Sequence, residues 1–99
     1  MNVRWSDDAD RDRGDIAARI WAASPQAALA MDALFTTAAS RLETFPRLGK
    51  QGYMAGTREL FPHPTYRLVY QVADEEVVIL SIVHTSRQWP PEPPVEDDA

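Results

Sequence analysis

GTRELFPHPTYRLVYQVADEEVVILSIVHTSRQWP, residues 56–90, decides the fold. Residues 57–61 read as a short strand, and Pro62 and Pro64 bracket His63 so that no regular ladder can continue through them. Residues 65–72 alternate: Tyr66, Leu68, Tyr70 and Val72 share one face, Arg67, Val69 and Gln71 the other. Residues 73–76 are a polar turn. Residues 77–84 are apolar on both faces, which predicts an interior strand. Strict alternation would set Val78, Leu80, Ile82 and His84 on one side and Val77, Ile79, Ser81 and Val83 on the other.

Upstream, Gly49, Gly52 and Gly56 punctuate a segment that reads as loop, and residues 45–49 close a helical stretch. Ser24-Pro25 is a helix start, with serine at the cap and proline in the first turn. The helix it opens should reach about Thr44, burying Ala27, Met31, Leu34, Phe35, Ala38 and Leu42. Ser6 before Asp7 and Asp8 is a second start, because acids suit the positive end of a helix. That helix runs over 7–23, with a partial stripe of Ala9, Ile16, Ile20 and Ala23, and Gly14 weakens its middle. So short a connection predicts an antiparallel helix hairpin. Residues 1–5 alternate, with Val3 and Trp5 on one face, and serve as a first strand. The order is β-α-α-β-β-β: an α+β domain, a helix hairpin packed on a small, mainly antiparallel sheet. It spans residues 1–90. Residues 91–99, with Glu92, Glu96, Asp97, Asp98 and three prolines, read as a disordered acidic tail.

Ninety-nine residues leave room for one core. The absence of cysteine excludes disulfides and thiolate metal sites. No apolar run is long enough to span a membrane, and the first ten residues hold no export core, so a cytoplasmic location is expected. The net charge of −5 argues against a simple nucleic-acid binder. Most of that excess lies in the tail; from Arg41 to Pro90 there are six bases against five acids. The bases there are mostly arginines, which can fork onto carboxylate or phosphate.

His63 and His84, the only histidines, are too few for an ordinary zinc site. No glycine-rich phosphate loop and no Ser-His-Asp pattern occurs, so no cofactor or metal is expected. The remaining reactive set is Arg58, Arg67, His84 and Arg87. Metal-free RNA cleavage needs a proton carrier, which His84 can be, and cations on the phosphate, which the three arginines can be. Each residue also has a structural alternative. Arg58 can pair with Glu59 and Arg67 with an acid across strands. His84 can donate to a backbone carbonyl. Trp89 can pack on the hairpin, and Trp5, Trp21, Tyr66 and Tyr70 can belong to the core.

Gly56-Thr57-Arg58-Glu59-Leu60, Tyr66-Arg67-Leu68-Val69-Tyr70 and His84-Thr85-Ser86-Arg87-Gln88-Trp89-Pro90 together resemble the RelE/ParE superfamily of toxins from bacterial toxin–antitoxin pairs. Pro46, Gly49 and Gly52 resemble that family's link between hairpin and sheet. The resemblance implies the same β-α-α-β-β-β fold and a cognate antitoxin. RelE-like members cleave messenger RNA on the ribosome, which would make Arg58, Arg67, His84 and Arg87 catalytic. Here, however, Lys50 stands alone where they often carry several lysines, and no terminal tyrosine matches theirs. GTREL, the tyrosine-rich strand and the H-x-x-R-x-W-P ending are closer to the ParE branch, whose members inhibit DNA gyrase without cutting RNA. On that branch Arg58, Arg67, Arg87 and Trp89 are the candidate target-binding residues. A non-toxic interaction module is the remaining reading, prompted by the acidic charge.

Overall fold

A computed structural model describes residues 1–87 and Trp89. The expected tail at 91–99 lies outside the described residues. The elements are β1 (Asn2–Trp5), α1 (Asp7–Ala23), α2 (Pro25–Thr44), β2 (Lys50–Gln51), β3 (Arg58–His63), β4 (Tyr66–Ala73) and β5 (Glu76–His84). The helix limits follow from the two serine caps. Ser6 Oγ accepts from the Ala9 amide and Ser24 Oγ from the Ala27 amide, each at 3.1 Å. β2 is an addition to the expected order. Its two residues carry no periodicity to read and become a strand only by pairing with Glu59 and Arg58.

The helices fold back on each other. Arg13 of α1 reaches Asp32 of α2 at 2.5 Å and Thr36 at 2.6 Å, and its guanidinium lies over the Trp5 ring. The Arg13 hydrogen bond holds the Asp32 carboxyl below its usual pKa. The buried stripe of α2 is Ala28, Phe35, Ala38, Ala39 and Leu42; that of α1 is Ala9 and Ile16, with Ile20 beside it. Ala27, Leu34, Trp21 and Ala23, all expected inside, are exposed. Ala27, Leu34 and Trp21 each sit one residue from a member of the stripe, and one residue turns a side chain about 100° around the helix. Ala23 ends α1 beyond the stripe.

The strands form one sheet in the order β1-β5-β4-β3-β2. β1 runs parallel to β5, and every other pair is antiparallel. β5 holds the interior position that its two-sided apolarity predicts. The helix-facing layer contains Tyr66, Leu68, Tyr70, Val77, Ile79 and Ile82, with Phe35 meeting Tyr66 edge-on at 5.8 Å.

The faces expected for β5 are correct only up to Ile79. Ile79 pairs with Tyr70 and Ser81 with Val69, so Leu80 is an extra residue with no partner. This bulge reverses the alternation, placing Ile82 rather than Ser81 in the helix-side core. β3 has a similar irregularity between Leu60 and His63, where Pro62 removes a donor.

Candidate functional site

Two ends of the sheet carry the residues singled out in the sequence. At the β5 end, β1 stops at Trp5, short of the last residues of β5. Side chains from the start of α1 complete that edge. Ser6 Oγ donates to the Leu80 carbonyl at 3.0 Å, and Asp12 Oδ2 accepts from the Ile82 amide and from Ser81 Oγ, both at 3.0 Å. Beyond these contacts α1 and β5 diverge around a groove of about 330 Å³, whose rim carries Asp15, Arg19, His84, Arg87 and Trp89. It is large enough for one or two side chains of a partner.

His84 is half-buried, with its ring edge-on to Tyr66 at 5.4 Å. Its Nδ1 accepts the Ser86 amide at 3.0 Å, and the Ser86 hydroxyl lies 2.6 Å from the same atom. An amide can only donate, so Nδ1 carries no proton and the ring hydrogen sits on Nε2. The expected bond from His84 to a backbone carbonyl is thus replaced by one accepted from a backbone amide. Arg87 is exposed, and its amide closes the turn onto the His84 carbonyl at 3.0 Å. Trp89 lines this groove with Asp12, Asp15 and Ile16 of α1 and a second groove with Met54, Thr57 and Val69, so it stands between the helix and the sheet rather than on the hairpin alone. Its buried Nε1–H has no acceptor among the described residues.

The β2–β3 end is closed. Arg58 pairs with Tyr70 and so faces the helices, whereas Glu59 pairs with Val69 and faces away. Neighbours in a strand point in opposite directions, so the expected Arg58–Glu59 pair cannot form. Arg58 instead donates to the Gly49 carbonyl at 2.8 Å and the Arg47 carbonyl at 3.4 Å. The Gly49 amide donates to Tyr70 Oη at 2.8 Å, so both backbone groups of Gly49 are held. Burial pushes the Tyr70 phenol pKa up despite that bond. Glu59, only 3% exposed, takes Arg67 Nη1 on one oxygen at 3.1 Å and the Tyr53 amide on the other at 3.2 Å. This is the cross-strand pairing anticipated for Arg67. The guanidinium of Arg67 also lies 5.6 Å from the Phe61 ring centre, and Lys50 Nζ 5.2 Å from it.

The four candidates therefore do not converge. His84 and Arg87 flank one groove, Arg58 faces the helices at the other end, and Arg67 lies on the opposite face of the sheet. The sequence reading missed Asp12, whose role depends on where β1 stops. It also missed the stacking of Lys50 on Phe61, which depends on the short β2 pairing. Among the described residues no cluster of acidic and histidine side chains could hold a metal ion.

The family described as the ParE toxin of the type II toxin–antitoxin system parDE matches residues 3–89, nearly the whole chain. The chain belongs to the ParE toxin family. A relative from Sinorhizobium fredii (strain NBRC 101917 / NGR234), named "Putative toxin Y4kP", is 34% identical over 89 residues, covering 89% of this chain and 92% of that protein. A solved structure titled "Chromosomal ParDE TA system from P. aeruginosa" superposes with a TM-score of 0.77. It shares 20% identity and covers 85% of this chain and 95% of its own. That likeness confirms the fold of this ParE-family chain: two helices on a five-stranded mixed sheet. No helix among the described residues is long and apolar enough to cross a membrane.

Proposed function

We propose that this ParE-family toxin acts by binding DNA gyrase in the cytoplasm, and that a cognate antitoxin neutralises it. The observation that favours binding over RNA cleavage is the dispersal of Arg58, Arg67, His84 and Arg87. An RNA-cleaving site needs a proton carrier and cations around one phosphate. Here the Nδ1 of His84 is engaged by Ser86, Arg58 by two backbone carbonyls, and Arg67 by a buried carboxylate.

The groove beside β5 supplies what recognition of a protein surface needs. Arg87 is an exposed cation with no acid partner among the described residues, the Trp89 ring lines the groove, and His84 offers Nε2–H. Arginine and tryptophan are the residue types that most often anchor interfaces. Within the proposed target-binding set, Arg87 and Trp89 make contact, and Arg58 and Arg67 hold the sheet that presents them.

The test is DNA supercoiling by purified gyrase with the antitoxin-free protein added. The expected result is loss of supercoiling with accumulation of cleaved DNA. Undisturbed supercoiling, together with ribosome-dependent cuts in messenger RNA that vanish in His84→Ala, would replace this reading with the endonuclease one. Inactivity in both assays would favour a non-toxic interaction module.

A further inference from the structure

Tyr66 and Tyr70 stand on the same face of β4. Tyr70 spends its hydroxyl on the Gly49 amide. Tyr66 has no such use. Its ring meets Phe35 and His84 edge-on, and the residue is only 6% exposed. Yet its Oη forms no hydrogen bond among the described residues and is not sealed inside the core, and the open space that Tyr66 lines is the groove beside β5. A phenylalanine would fill the same core position without placing an oxygen there. A largely buried hydroxyl that the chain leaves unused needs water or a ligand to satisfy it.

Three further donors surround Tyr66. His84 offers Nε2–H, because its Nδ1 accepts the Ser86 amide. Arg87, in the turn after β5, and Arg19, on α1, stand exposed on the rim. Neither has an acid partner among the described residues. Arg19 lies outside every motif read from the sequence and joins the groove only through the packing of α1 beside β5.

The acids of the same groove limit the charge that fits. Asp12 Oδ2 is turned onto the Ile82 amide and the Ser81 hydroxyl. Asp15 is exposed on the rim, about one helical turn before Arg19. Two carboxylates beside two guanidiniums leave no strong positive field, which disfavours a phosphate or a nucleic-acid strand. One carboxylate, by contrast, can accept from Tyr66, His84 and an arginine together, and a desolvated anion needs that many partners. The space of about 330 Å³ admits an Asp or Glu side chain with its neighbouring backbone.

We infer that the groove between α1 and β5 is a receptor for a single carboxylate, an aspartate or glutamate side chain of the target protein, held by Tyr66 Oη and Arg19 together with His84 and Arg87. The inference rests on the reading that this groove meets the target, and it names the chemistry that the target must present there. Tyr66 and Arg19 are its added specificity residues. A carboxylate oxygen must come within about 3 Å of Oη to bond it, past both rim arginines, which a basic side chain of a partner would find repulsive.

The test titrates the full antitoxin-free chain with N-acetyl-aspartate N-methylamide and follows the His84 ring and Arg87 amide signals by NMR. The asparagine analogue and inorganic phosphate are the comparison probes. The variants are Tyr66→Phe, Arg19→Gln and, as the control, Arg41→Gln, an exposed arginine on α2 outside the groove. The aspartate probe should bind with a Kd of about 1–10 mM, as suits so small a ligand. Tyr66→Phe and Arg19→Gln should each weaken it by about fivefold or more, and Arg41→Gln should not. Tyr66→Phe keeps its ring in the core, so its melting temperature should stay near that of the parent. No signal change up to about 50 mM, equal binding of the asparagine analogue, or tighter binding of phosphate would overturn the assignment. Supercoiling assays on the same proteins separate the two readings. Tyr66→Phe and Arg19→Gln should need about tenfold more protein for the same inhibition. A parent that binds the probe but spares gyrase would remove the gyrase proposal and leave the carboxylate receptor standing. Variants that lose the probe yet inhibit gyrase as the parent does would overturn the claim that the carboxylate comes from the target.

Discussion

The two ends of the sheet use the same kinds of residue for opposite purposes. At the β2–β3 end Arg58, Glu59, Arg67 and Tyr70 are all engaged in contacts within the chain, and those contacts hold the link between hairpin and sheet. At the β5 end Asp12 and Ser6 complete the strand edge, while Arg87 and the Trp89 indole remain without partners among the described residues. An arginine in a toxin strand is thus not in itself a binding residue. What decides its role is whether the fold has already satisfied it.

Substitutions sharpen that contrast, and the largest effect belongs to the closed end. Glu59→Ala leaves Arg67, 19% exposed at its side chain, without its counter-charge and should cost about 3–5 kcal/mol in urea denaturation. Adding Arg67→Met should recover part of the loss; no recovery would mean that the pair is not what holds this end. Gly49→Ala should cost about 2–3 kcal/mol, since an added Cβ would lie 2.8 Å from the Glu59 carbonyl oxygen and 2.9 Å from the Tyr70 ring.

Tyr70→Phe strands the buried Gly49 amide and should cost about 1–3 kcal/mol at neutral pH. Its pH dependence has a definite sign. Because the folded-state pKa of Tyr70 is raised above the ordinary 10.0, the parent should lose stability as pH rises past that value and through the folded pKa. Tyr70→Phe should lack this part of the alkaline loss, and an identical alkaline melting profile would show that other groups control it. At the β5 end Asp12→Ala should cost about 1 kcal/mol, because the Ile82 amide lies at a strand edge that water can reach. Arg87→Ala should change stability by less than about 0.5 kcal/mol and yet abolish gyrase inhibition. A large loss of stability there would erase the distinction between the two ends.

Much of this was legible in the residues. Ser6 and Ser24-Pro25 mark the helix starts because a cap is a local device, complete within a few residues. Tyr66, Leu68 and Tyr70 alternate without interruption, so the inner face of β4 could be read directly. Leu80 could not, since a bulge arises when two strands are matched and leaves no mark on an apolar run. The depth of Trp21 and Leu34 depends on a rotation of about one residue that periodicity does not resolve. The site residues were legible as a set of types and not as a place. Register decides the directions of Arg58 and Arg67, and the turn after β5 decides that of Arg87, so the three are scattered over two faces and two ends.

The parallel pairing of β1 with β5 has a consequence for synthesis. Arg4 meets Glu76 across 72 positions of sequence, and Trp5 finds its ladder partner only at Ile79. A nascent chain carries its first strand without a neighbour until its last strand has left the ribosome. Contacts so distant in sequence close late and slowly. The groove that holds Arg87 and Trp89 is bounded by that same strand, so the surface proposed to meet gyrase takes shape only as translation of the domain ends.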